Sequence, residues 1–100
     1  MSGVSNPYRY FYETVAPSQT AQVLGGAGAA GDYLHRLVVN VTTTATSAVT
    51  LIDNATSIVI VPATTPVGVY SIEINAASKS GAWKVTTDAG VSVIAVGVFT

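Results

Sequence analysis

Charge is what this chain has least of. Nine of its 100 residues are Asp, Glu, Lys or Arg, against about a quarter in an ordinary globular domain. Between Arg36 and Glu73 the sole charged residue is Asp53, so any exposed face in that stretch must be made of Thr, Ser, Asn and Ala. Isolated β domains use Lys and Glu to stay monomeric and to blunt their sheet edges. A chain that does without them is expected to lie against other protein, as an assembly component and not as an enzyme.

Cysteine is absent altogether, which excludes disulfides and thiolate metal sites and fits synthesis in a reducing cytoplasm. Four basic residues and a net charge of −1 argue against nucleic acid, because neutralising phosphates takes clustered Lys and Arg. Val, Ala and Ile are broken every few residues by Thr, Ser, Gly or Pro, so no apolar run approaches the roughly 20 residues of a spanning helix. The start, MSGVSNPYRYFYE, has neither a basic n-region nor an apolar h-region, so no secretory signal is expected. The sequons at Asn40 and Asn54 are then chance matches in a Thr-rich chain.

What is present is strand pattern. Tyr33–Val41 places Tyr33, Leu37, Val39 and Val41 on one parity and Arg36 and Asn40 on the other, the period of a half-buried strand. Ala48–Ile52 predicts a second strand, closed by the turn formers Asp53 and Asn54. Ser57–Val61 is apolar on both parities, the signature of a strand buried on two sides. Pro62 and Pro66 bracket a loop. Val69–Asn75 alternates with Tyr70, Ile72 and Ile74 inward, and Ala82–Thr87 with Trp83 and Val85 inward. Val91–Phe99 is the last strand. Leu37, Val39, Ile72, Trp83 and Val85 are the expected core. Val, Thr and Ile dominate where a helix would want Ala, Leu, Glu and Lys. The expected fold is all-β: a small antiparallel β-sandwich, jelly-roll or Ig-like, over residues 20–100.

Residues 1–19 read as an N-terminal arm. Tyr8, Tyr10 and Tyr12 share one face of an extended segment, with Arg9, Phe11 and Glu13 on the other. Two readings stand: an edge strand tucked onto its own domain, or an arm reaching a neighbouring subunit through aromatic anchors. On the second, Tyr8, Arg9, Tyr10, Phe11 and Tyr12 are the partner contacts. A short Gln19–Leu24 strand follows, and Thr- and Ser-rich strand faces would make an oligomer interface.

Motifs that suggest chemistry fail on context. Residues 26–31 have the G-x-G-x-x-G spacing of a dinucleotide fold, with Asp53 about 20 residues on. The third glycine should open a helix whose N-terminus holds the pyrophosphate, whereas Gly31 opens a β-branched stretch of period two. The segment therefore reads as a tight turn or connector. His35 is the only histidine and lies in a strand without a nucleophile elbow nearby. Asp32, Asp53 and Asp88 sit at turns, where Asp bonds local backbone. No catalytic, cofactor-binding or metal residue is assigned. Trp83 is expected in the core, with sugar stacking as the alternative if it is exposed.

Two separated blocks carry a family likeness. Gly31, Asp32, Tyr33, Leu34, Arg36 and Leu37 give G-D-Y-L-x-R-L. Ser80, Gly81, Ala82, Trp83, Val85, Thr86 and Thr87 give S-G-A-W-x-V-T-T, followed by V-S-V-I-x-V-G at Val91–Gly97. Over residues 20–99 the chain resembles a family of small virion proteins of tailed bacteriophages. The resemblance implies a capsid decoration (cement) protein: a compact β-sandwich, made in the bacterial cytoplasm, that oligomerises, often as trimers. It clamps the major capsid protein from the capsid exterior of the virion, without cofactor, membrane or nucleic acid. Related β modules also occur in tails and fibres, so the alternative is a tail or fibre domain binding a host cell-surface glycan through exposed aromatics such as Trp83 or Tyr70. Residues 1–19 lie outside the likeness.

Overall fold

The computed structural model describes residues 9–44 and 47–100. They form eight strands: β1 Phe11–Val15, β2 Gln22–Val23, β3 Tyr33–Val41, β4 Val49–Asp53, β5 Thr56–Val61, β6 Gly68–Ala77, β7 Trp83–Thr86 and β8 Val91–Val98. No helix occurs among the described residues. Two four-stranded sheets have the orders β1-β8-β3-β6 and β2-β7-β4-β5, and every pairing is antiparallel. First pairs with last throughout: β1 with β8, β2 with β7, β3 with β6, β4 with β5. That is one long hairpin rolled on itself until β3 also meets β8 and β4 also meets β7. The result is the eight-stranded jelly-roll form of the β-sandwich, not the Ig order, which splits its strands differently between the sheets.

Alternation builds the core. β8 buries Val91, Val93 and Ala95 and turns Ser92, Ile94, Val96 and Val98 outward. β7 buries Trp83 and Val85 against Leu51 and Val49 of β4 and Leu37, Val39 and Val41 of β3. Ile72 is half-buried and packs on the same cluster from the edge strand β6. Thr87, a buried polar residue, is satisfied twice. Its hydroxyl donates to the Ala16 carbonyl at 2.7 Å and accepts the Gln19 N–H at 2.9 Å. That pair fixes the turn from β1 into β2.

Two sequence expectations change, and one open alternative is decided. A β-bulge between Leu34 and Arg36 shifts the parity of β3, so Leu34 is buried and Tyr33 lies on the outer face, opposite to the simple alternation. Two residues on one strand facing one on the next is what reverses a face. The two-sided burial expected of Ser57–Val61 is not found. β5 is an edge strand, and Ser57, Ile58 and Val59 are exposed. An apolar run reports composition, and only strand order decides whether a second strand covers it. Residues 11–15 of the N-terminal segment pair with β8 in register from Phe11↔Gly97 to Val15↔Val93, so this part of residues 1–19 is an edge strand of the sandwich itself.

The segment Gln19–Leu24 does run along β7. Regular pairing is confined to Gln22 and Val23, because Ala21 takes a left-handed φ of 49°. Main-chain bonds from Thr87 N to Gln19 O (2.8 Å) and from Leu24 N to Trp83 O (2.9 Å) extend the contact at both ends.

Candidate functional site

The exposed apolar side chains gather at the two opposite edges of the sandwich, with Ile94 and Val98 on the outer face between them. At one edge lie Phe11 and Tyr12 of β1 and, just before the strand, Arg9 and Tyr10. Tyr10 lays its ring 4.8 Å from that of His35 and stacks at 6.0 Å on Tyr33, both brought to the outer face by the bulge in β3. The Arg9 guanidinium lies 5.7 Å from the Phe11 ring centre, a cation–π contact that orders both side chains. Phe11 remains 57% and Tyr12 73% exposed. Tyr8 lies outside the described residues.

The register extends this edge into a sheet face. Across the outer surface of the first sheet the aligned residues are Tyr12, Val96, Arg36 and Glu73 in one row and Thr14, Ile94, Val38 and Ser71 in the next. Charge enters only on the side away from β1. Glu13, on the other parity of β1, is tied down: its carboxylate accepts the Gly25 N–H at 2.7 Å and Gln22 Nε2 at 3.1 Å. The edge strand is thereby clamped to the second sheet while its aromatic rings stay free of that clamp.

At the opposite edge, β5 and β6 border an apolar groove of about 500 Å³. Ile60, Pro62, Thr65, Val69, Tyr70 and Ile72 line it, and no charged residue does. Tyr70 is held there by its hydroxyl, which donates to the Pro66 carbonyl at 2.8 Å. Val69, one of its lining residues, is 68% exposed, and Val59 on β5 and Val67 just before β6 are 59 and 62% exposed. This groove was not foreseen from the sequence. Its only signal was an apolar run with no charge on either side of the Pro62–Pro66 loop.

The residues weighed for chemistry fall elsewhere. His35 packs under Tyr10, and its Nδ1 is buried without a hydrogen-bond partner among the described residues. Partial burial raises the Tyr33 phenol above its ordinary pKa, and the Tyr10 phenol beside it adds to the rise. Trp83 is 4% exposed, which removes it as a sugar platform. The glycine-rich segment is a turn with a partner inside the molecule: the N–H groups of Gly26, Ala27 and Gly28 converge on the Thr100 main-chain oxygen at 3.0, 3.2 and 3.2 Å. A three-donor nest of this kind suits an oxygen of any source, and here the chain fills it. Asp53 reaches across the fold to the β6–β7 turn instead of bonding its own turn. No cluster of His, Asp and Glu with metal-ligand spacing occurs among the described residues.

Fold and surface together define a jelly-roll module whose exposed chemistry is apolar, aromatic and sited at two sheet edges. Comparison with protein-family models, curated proteins and solved structures found no match.

Proposed function

We propose that this chain is a structural protein of a tailed-bacteriophage virion, a capsid decoration protein that binds the outside of the major capsid protein shell as a homo-oligomer, often a trimer in such proteins. Its likeness to small virion proteins over residues 20–99 supports the reading. So do a surface almost empty of charge and a jelly-roll fold used by many viral coat components. The observation that carries it is the aromatic edge Arg9–Tyr12, with Tyr12 73% and Phe11 57% exposed. Aromatic residues and Arg are the groups most enriched at protein interfaces.

The mechanism is area and geometry. Each copy bridges neighbouring shell subunits through individually weak contacts, and the oligomer multiplies them by effective concentration. Expansion or rupture of the shell must then break several contacts at once. The test is co-sedimentation of the purified protein with expanded phage capsids that lack it. The wild type is expected to pellet at a fixed ratio to capsid subunits, and Tyr12→Arg, folded but weakened in the association that multiplies the shell contacts, to stay largely in the supernatant. A wild-type protein that stays in solution overturns the proposal.

A further inference from the structure

We infer that copies of this chain associate head to tail, the β1 edge of one copy continuing the sheet beyond β6 of the next, with Phe11 over the β5–β6 groove and Tyr12 beside Val69 on the outer face. The inference rests on the reading of the chain as an assembly component and names the partner of both exposed edges: a second copy. Four observations carry it.

The first is placement. β1 and β6 are the two outer strands of one sheet, so the aromatic edge cannot reach the groove of its own molecule. The second is shape. One edge projects rings that are more than half exposed, and the other offers an uncharged hollow of about 500 Å³. The third is strand direction. β1, β8, β3 and β6 alternate in polarity, so a rotated copy that continues the sheet brings its β1 antiparallel to β6. Pairing β6 with its own copy about a two-fold would instead set Glu73 near Glu73, and facing like charges are unfavourable.

The fourth is area. Taking roughly 200 Å² for an aromatic side chain, the exposed parts of Tyr10, Phe11 and Tyr12 amount to about 340 Å². At roughly 110 Å² per aliphatic side chain, Ile58, Val59, Val67 and Val69 expose about 250 Å². Complete burial of both patches, with the usual polar share, corresponds to on the order of 1,000 Å², the lower bound for a specific interface. A heterologous contact that closes into a ring gives every copy two of them.

Mixing two variants decides the matter, with no shell present. Phe11→Asp with Tyr12→Asp removes the head, and Val67→Asp with Val69→Asp removes the tail seat. All four positions are exposed, and circular dichroism melts matching the wild type establish that each variant is folded. Milder pairs, Phe11→Ser with Tyr12→Ser and Val67→Thr with Val69→Thr, serve if either melts early. By light scattering after gel filtration the wild type is expected as an oligomer and each variant alone as a monomer. An equimolar mixture gives dimers, because one intact head and one intact seat remain. A monomeric wild type, a variant that still self-associates, or a mixture that stays monomeric overturns the inference. Shell binding is measured separately: oligomers that ignore capsids sink the proposed function and leave this contact standing.

Discussion

The indole N–H of Trp83 donates to the main-chain carbonyl of Asp32 at 2.9 Å, joining the core of the second sheet to the entrance of β3. The same carbonyl accepts the Ser78 N–H at 3.0 Å. The Asp32 carboxylate in turn accepts the Ala29 and Thr100 N–H groups, each at 3.1 Å. One residue thus gathers the glycine-rich turn, the end of β6 and the segment after β8.

Trp83→Phe keeps an aromatic ring but deletes that donor and some volume. A lost buried hydrogen bond costs about 1–3 kcal/mol, so the urea midpoint followed by far-UV circular dichroism is expected to fall accordingly. In the wild type the single tryptophan is expected to emit in the blue and to resist iodide quenching. An accessible indole would refute its burial.

Core and edge are expected to separate cleanly. Leu37 is fully buried, and Leu37→Ala leaves a cavity worth about 3 kcal/mol. Val59 on the outer edge strand is expected to lose under about 0.5 kcal/mol on conversion to Ala. Equal losses in chemical denaturation would restore two-sided burial to Ser57–Val61.

Gly97→Ala is expected to cost about 1–3 kcal/mol by overpacking. A methyl there would overlap the Tyr33 carbonyl oxygen and crowd the Phe99 ring, where β8 passes the bulge of β3. Thermal denaturation measures the loss, and an unchanged melting temperature would contradict the close approach.

Stability is expected to bend at both ends of the pH scale. The Lys79 N–H, at 2.9 Å, leads those of Ser80 and Gly81, each at 3.1 Å, in holding Asp53 below the ordinary carboxylate pKa. A depressed folded value gives stability that is present above the unfolded pKa and lost as pH falls through the folded one, hence below about pH 4. Tyr33 is raised, so its share is present below about pH 10 and lost above it. Asp53→Asn should flatten the acid limb and Tyr33→Phe the alkaline limb of urea midpoints recorded against pH. Limbs unchanged by the variants would show that other groups dominate.

Much of the sandwich was legible because a strand with one wet face writes its burial at every second position. Val91–Val98, Trp83–Thr86 and β3, whose bounds are those expected, are of this kind. Tyr33 was misplaced because a bulge leaves no mark in hydrophobic alternation. The aromatic residues Tyr10, Phe11 and Tyr12 stood out as unusual in a chain with so little charge, but their neighbours Tyr33 and His35 did not. Those two meet Tyr10 only through the β1–β8–β3 order.

By itself the sequence determined an all-β chain, its strands, its buried parity and its shortage of charge, because these are local properties of residue type and spacing. The tertiary structure alone decided which strands became edges. Strand order is set by contacts between residues far apart in the chain, and it left β1 with exposed rings on one side and β5 and β6 around an uncovered groove on the other.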